Sequence, residues 1–260
     1  MATVLLRALR DDPTDALPLV LLAPFPLDGR AWSKVAAHIT GTVLVVDPPG
    51  FGGDADDAPS LEGYARAVLD ALDARGVRRF VVAGNSMGGY AAMCLAEVAP
   101  ERVAGLGLFG TKSTADADAA RANRLAMADA ADAGTPASEL LAPLKGNLLG
   151  ASTKAARPKV VAKLDGLVAD ATASGVAWAQ RAMAGRPDRT AVLAGLGERD
   201  VPAVVVHGAE DALMDAASQE AMADALGVQR VEVQACGHLV PLEAPDVAGA
   251  ALMALMEAAQ

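Results

Sequence analysis

The sequence predicts an α/β fold: a mostly parallel central sheet flanked by helices, with a helical insertion late in the chain. Three observations predict it. Short runs rich in Val and Leu recur between Gly, Pro and Asp, as parallel strands buried on both faces do. Helical patterns alternate with these runs, so neighbouring strands are joined by crossover helices. One stretch of about eighty residues then lacks any strand pattern, and its amphipathic helical spacing sits between two strands of the same sheet.

The strand runs are residues 17–23 (LPLVLLA), 41–47 (GTVLVVD), 78–84 (RRFVVAG), 103–110 (VAGLGLFG), 201–208 (VPAVVVHG) and 229–235 (QRVEVQA), with an additional edge strand expected over 3–10. Between them, SLEGYARAVLDALDARG has Ser60 as N-cap, Leu61, Tyr64, Val68, Leu69 and Leu72 on one face, and Gly76 at its end. MGGYAAMCLAEVAP stops at Pro100, DAASQEAMADALG follows the run at 201–208, and PDVAGAALMALMEAA opens on a proline suited to a first helical turn. A short helix carrying His38 is expected after the first of these runs. The expected division is a core of residues 1–111 and 191–260 with a helical cap at 112–190, which includes DADAARANRLAMADAADAG and RPKVVAKLDGLVADA.

Composition narrows the function classes. The chain has 260 residues, 53% of them hydrophobic, and a net charge of −10, which argues against nucleic acid or an anionic membrane as the main partner. No apolar window reaches the roughly 18 residues of a membrane span. MATVLLRALRDD lacks the basic and apolar segments of a signal peptide, and two cysteines, Cys94 and Cys236, fit a reducing compartment, so a cytoplasmic protein is expected. The three histidines are far apart and no Cys/His spacing suits zinc; no metal and no cofactor are expected.

The chemistry concentrates at Gly84-Asn85-Ser86-Met87-Gly88, a G-x-S-x-G pentad where a strand ends and a helix begins. A sharp strand-to-helix turn holds the serine hydroxyl clear of the sheet, and neighbouring residues must be glycine to avoid collision. A serine hydroxyl is a poor nucleophile without a histidine to take its proton, and that histidine needs a carboxylate to fix its tautomer. Asp211 follows the run at 201–208 and His238 follows the next, each beyond a strand's C-terminal end, in the order this topology requires. Rival residues have plainer readings. Asp200 is a loop residue at the wrong end of a strand, Asp215 a helix cap and Glu210 a surface residue. His207 and His38 read as structural, and Cys236 as a small buried residue. Asp47 caps the PPGFGG loop.

With PPGFGG, GNSMGG, GAED and CGHLVPLEAPDV in place, the chain resembles the α/β-hydrolase superfamily over nearly its whole length. It looks most like small capped serine hydrolases of the 3-oxoadipate enol-lactonase and esterase/perhydrolase kinds. The resemblance implies Ser86 as nucleophile, His238 as general base and acid, Asp211 as orienting carboxylate, and 112–190 as the cap. The family usually carries His-Gly after the strand at 17–23, where this chain has Ala23-Pro24. Phe25 and Met87 would then supply the oxyanion-hole N–H groups, with Pro26 biasing Phe25 toward extended backbone. Position suggests a pocket lined by Leu27, Phe109, Leu148, Leu149, Trp178, Leu213 and Leu239, suited to a small apolar acyl or lactone substrate. Three functions stay open on these residues: ester or lactone hydrolysis, C–C hydrolysis or perhydrolysis on the same triad, and a non-catalytic ligand-binding role. A dehalogenase would place an aspartate where Ser86 stands.

Overall fold

The computed structural model describes residues 4–12, 16–52, 55 and 58–260, so Thr3 of the expected edge strand and Gly53 of PPGFGG lie outside the described residues. Each predicted run forms a strand: β1 (Leu5–Arg10), β2 (Leu19–Leu22), β3 (Val43–Asp47), β4 (Phe80–Asn85), β5 (Val103–Phe109), β6 (Ala203–Gly208) and β7 (Arg230–Val233). They make a seven-stranded sheet in the order β1-β3-β2-β4-β5-β6-β7, parallel throughout except for β1, which runs antiparallel to β3.

Period-two alternation explains how the interior strands bury both faces. Val20, Leu22, Leu44, Val46 and Val82 join the core on one side, whereas Leu19, Leu21, Val43, Val45, Val81 and Ala83 join the core on the other. α1 (Leu61–Ala74) and α2 (Met87–Val98) cover the first face, and their packing on each other closes that layer. Ser60 caps α1 by accepting from the Gly63 N–H at 3.0 Å.

Between β5 and β6 the chain is helical: α3 (Asp118–Asp132), α4 (Ala137–Lys145), α5 (Ala151–Ala156), α6 (Pro158–Ala169), α7 (Ala173–Ala184) and α8 (Thr190–Gly197). α3 and α7 lie along one another, held at their surface by Arg181, which is 2.7 Å from both Asp129 and Asp132. α8 packs instead on α2 and on α9 (Ala216–Leu226). Arg189, just before α8, is buried and ion-paired with Glu97 of α2 at 2.9 Å and with Glu62 of α1. α10 (Val240–Glu243) and α11 (Pro245–Ala258) end the chain, and α11 seats on the second face. Gly107 serves the packing of β5 beside β4, since a Cβ there would come within 2.8 Å of the Ala83 Cβ, while Leu252 of α11 would be at an ordinary contact distance of 3.4 Å. The helix expected around His38 is a single 3-10 turn, Val35–His38.

The strand order reverses direction between β2 and β4. A crevice opens at the C-terminal edge of a parallel sheet where that happens. The turns after β2 and β4 carry Phe25 and Ser86.

Candidate functional site

Ser86 follows β4 directly and precedes the first residue of α2, with φ 54° and ψ −117°. This is a left-handed, sparsely populated conformation for a non-glycine residue, which costs on the order of 1–3 kcal/mol and needs surroundings that enforce it. The surroundings are visible. The Ser86 N–H donates to the Phe109 carbonyl at 2.9 Å, and the Thr111 hydroxyl donates to the Ser86 carbonyl at 2.9 Å. The glycines of the pentad, and Gly89 just after it, have steric reasons of their own. A Cβ on Gly84 would lie 2.1 Å from the Gly88 backbone, one on Gly88 would lie 2.2 Å from the Leu22 carbonyl oxygen, and one on Gly89 would lie 2.6 Å from Thr111. Strand β2, the turn and α2 are thus in backbone contact, and only glycine fits.

His238 comes from the turn after β7. Its Nδ1 stands 2.9 Å from Asp211 Oδ2, and both side chains are fully or almost fully buried. Asp211 is fixed by its own loop: Oδ1 accepts from the N–H groups of Leu213 at 2.8 Å and Met214 at 3.0 Å. With Oδ1 satisfied by amides and Oδ2 accepting from the imidazole, the proton sits on Nδ1 and Nε2 carries the lone pair. Asn85, fully buried beside Ser86, donates to the carbonyls of Phe109 at 2.9 Å and His238 at 3.1 Å, binding the serine turn to the histidine turn.

The loops that carry His238 and Asp211 meet a third segment. Glu243, 2% exposed, accepts from the N–H groups on either side of His238, Gly237 at 3.0 Å and Leu239 at 3.2 Å, and from Gly150 at 2.9 Å. Glu210, next to Asp211, accepts from the Ser152 N–H at 2.8 Å and from the Ser152 hydroxyl. The start of α5 is therefore anchored to both loops. Arg157 adds hydrogen bonds to the carbonyls of Glu243 and, at 3.0 Å, Ala235.

Ser86 and His238 open into one cavity of about 300 Å³. Its sheet-side wall is Phe25, Ser86, Tyr90, Leu213, Met214 and His238. Its helical wall comes from α3 (Ala120, Asn123, Arg124, Met127), from α4 and the residues after it (Leu144, Leu148), and from α7 (Gln180, Met183). Of the pocket residues expected from sequence, Leu148 and Leu213 line it. Leu27, Phe109, Leu149, Trp178 and Leu239 do not, and each has a packing reason. Phe109 turns to the opposite face of the sheet, edge-on to Trp32 with ring centroids 5.5 Å apart. Trp178 packs edge-on against Tyr64 at 6.1 Å, and Leu27, Leu149 and Leu239 are buried in the core.

Phe25 lies at the corner of a tight turn, in which the Leu27 N–H donates to the Pro24 carbonyl at 2.7 Å and the Phe25–Pro26 bond is cis. That is the form of a type VI turn, with Pro26 at its third position. Met87 is fully buried at the first position of α2, where helix N–H groups lack intrahelical partners. Among the described residues, the N–H groups of Phe25 and Met87 have no protein acceptor.

The rival residues are placed as follows. Asp215 caps α9 by accepting from Ser218, and Asp200 is exposed. His207 is buried with its Nδ1 2.9 Å from the Arg230 guanidinium, and burial lowers its pKa. Asp47 accepts from Gly29 at 2.7 Å and from Arg7, pinning the loop after β2 to the edge strand. Burial pushes the Cys236 thiol upward, away from reactivity. Site residues that sequence reasoning missed include Tyr90, Arg124, Gln180 and Glu243. Tyr90 had a signal, since four residues beyond Ser86 on a helix places it on the same face. Arg124 and Gln180 had none, because their approach to Ser86 depends on how α3 and α7 fold over the sheet.

A profile described as alpha/beta hydrolase fold matches residues 18–245. Among solved structures, a thermophilic esterase from Thermogutta terrifontis is similar with TM-score 0.90 and 28% identity, over 98% of this chain and 93% of that one. An enol-lactonase from Burkholderia xenovorans LB400 shares the fold with TM-score 0.87 and 22% identity, over 98% and 97% of the two chains. In sequence, the pimeloyl-[acyl-carrier protein] methyl ester esterase of Aromatoleum aromaticum is 38% identical over 97 residues, and this match spans only 36% of either chain. On the match over residues 18–245, the chain belongs to the alpha/beta hydrolase fold family.

Proposed function

We propose that the chain is a serine hydrolase that cleaves a carboxylic ester or lactone of a small molecule through an acyl-enzyme. Ser86 is the nucleophile, His238 the general base and acid, and Asp211 the carboxylate that orients it. The segment 112–190 serves as the cap over the site. One observation carries the reading: a serine in strained backbone geometry shares a cavity with a histidine whose other ring nitrogen is held 2.9 Å from a buried aspartate. The esterase names of the Thermogutta and Aromatoleum proteins support the same bond type.

In this reading His238 Nε2 takes the Ser86 proton as Oγ attacks the carbonyl carbon, and Asp211 stabilises the imidazolium that forms. The N–H groups of Phe25 and Met87 receive the oxyanion, aided by the N-terminus of α2. Collapse expels the alkoxide, which takes its proton from His238. Water, deprotonated by His238, then attacks the acyl-enzyme and frees Ser86. No step draws on a cofactor. Ser86→Ala is expected to lower p-nitrophenyl ester turnover by at least roughly 10³-fold while leaving the thermal transition in place. Turnover at the wild-type rate in that variant would refute the assignment.

A further inference from the structure

The wall facing Ser86 is more polar than an apolar acyl group needs. Arg124 and Asn123 of α3 and Gln180 of α7 line the cavity among methionines and leucines. Arg124 donates to Asp116 at 2.6 Å and to the Gln180 amide oxygen at 3.1 Å. Gln180 is 4% exposed, and while its oxygen accepts from Arg124 its NH₂ group remains available as a donor.

Charge does not balance there. Asp116, with its side chain 3% exposed, is shared by Arg186 in a bidentate pair at 2.7 Å, by Arg124, and by Lys112 at 3.4 Å. Three cations thus converge on one carboxylate. Of the other acids around it, Asp129 and Asp132 share Arg181, Asp211 pairs with His238, and Asp215 caps α9, although Lys112 also feels its charge; Asp118, in the first turn of α3, is exposed. Burial opposes ionisation of Asp116, but the Arg186 hydrogen bond and the charge of Arg124 outweigh it and hold the carboxyl well below its usual range. The carboxylate is thus fully used, and of the three cations Arg124 lines the cavity, in a chain whose net charge is −10.

A third feature points the same way. Tyr90 lines the cavity, is 1% exposed, and its hydroxyl oxygen has no hydrogen-bond partner among the described residues. The Arg186 guanidinium lies over its ring at 4.1 Å. Buried unpartnered hydroxyls are costly, typically about 1–3 kcal/mol, unless a ligand satisfies them. Burial, the largest influence, raises the Tyr90 pKa, so the hydroxyl remains a donor at neutral pH. Arg124, Gln180 and Tyr90 therefore bring donors and a positive charge to the cavity, and the Tyr90 hydroxyl can accept as well as donate.

Building on the ester-hydrolase reading, we propose that the substrate carries a carboxylate distal to the scissile ester, and that Arg124, with Gln180 and Tyr90, is the residue that selects it. The cavity, near the lower end of the roughly 300–1,000 Å³ typical of ligand pockets, suits a short chain bearing both groups.

The test compares monomethyl esters of straight-chain dicarboxylic acids, four to eight carbons long, with methyl alkanoates of equal chain length. At one chain length or more, wild-type kcat/KM is expected to favour the acid monoester by roughly tenfold or more. In Arg124→Gln that preference ratio is expected to fall by roughly 10- to 100-fold, chiefly through KM, and Arg124→Lys should retain part of it. The ratio is internal to each protein, so a general loss of folding or turnover leaves it unmoved. Calorimetric binding of the same pairs to Ser86→Ala reads the preference without chemistry. Binding preference without wild-type turnover would refute the hydrolase reading and keep this one. Preference for the neutral ester at every length, or an unchanged ratio in Arg124→Gln, would overturn it.

Discussion

At Ser86 the backbone, not only the hydroxyl, has been specified. A serine at φ 54° survives because the strand, turn and helix around it leave no other path for the chain. The glycines at 84 and 88 are part of that enclosure, each within 2.2 Å of backbone atoms that a Cβ would have to displace. Gly84→Ala is accordingly expected to cost about 3 kcal/mol or more in stability and to abolish ester turnover, read by denaturant unfolding and steady-state kinetics. Gly166→Ala is the matched control. Gly166 lies within α6, and a methyl group there would meet no atom within 4 Å, so the change should stabilise the protein by about 0.5–1 kcal/mol. Equal destabilisation by both would show that the pentad glycines are not the constraint. The residue scale is also the most legible in sequence. Ser86, Asp211 and His238 announce themselves by chemistry and by position after apolar runs. Phe25 stands after the run at 17–23 as expected, though the tight corner around it, closed by the Leu27 N–H on the Pro24 carbonyl, is not written in dipeptide preferences.

Elements set where those residues stand. Three loops, after β6, after β7 and at the start of α5, touch so closely that a Cβ on Gly237 would lie 2.1 Å from the Gly150 nitrogen, and one on Gly208 would lie 2.1 Å from the Gly237 oxygen. Glu243 joins the last two of them through three amides, two of which flank His238. Glu243→Gln keeps one acceptor oxygen and turns an NH₂ toward the remaining donors. It is expected to cost about 2 kcal/mol and to lower kcat more than KM, because the imidazole loses its fixed placement. A change in KM alone would place the role of Glu243 with the α5 segment rather than with His238. Strands and the four core helices are readable from period-two runs, caps and prolines. The contact between α5 and the His238 loop is not, since GHLVPLE and LLGAS are far apart in sequence and neither signals the other. The same holds for Trp178 and Phe109, whose apolar character says that they are buried but not on which side of which layer.

Across the whole molecule, sheet order decides function. The reversal of strand order between β2 and β4 opens the crevice in which Phe25 and Ser86 meet, and later strands bring Asp211 and His238 to the same edge. α3, α4 and α7 close the crevice into a chamber, and the described helices include none long and apolar enough to cross a membrane. The helical character of 112–190 is legible in sequence, but the cavity wall it forms is not, because alanine-rich helices encode their packing through shape rather than pattern. Arg124 of α3 places a positive charge on the wall of that chamber in an otherwise acidic chain. The central claim is that Ser86 is activated by His238. Its most direct measurement is peptide mapping by mass spectrometry after reaction with a fluorophosphonate. The account predicts one adduct, on the peptide bearing Ser86, formed by the wild-type protein and slowed by roughly 10³-fold or more in His238→Ala. An adduct elsewhere, or labelling of Ser86 at an unchanged rate without His238, would contradict it.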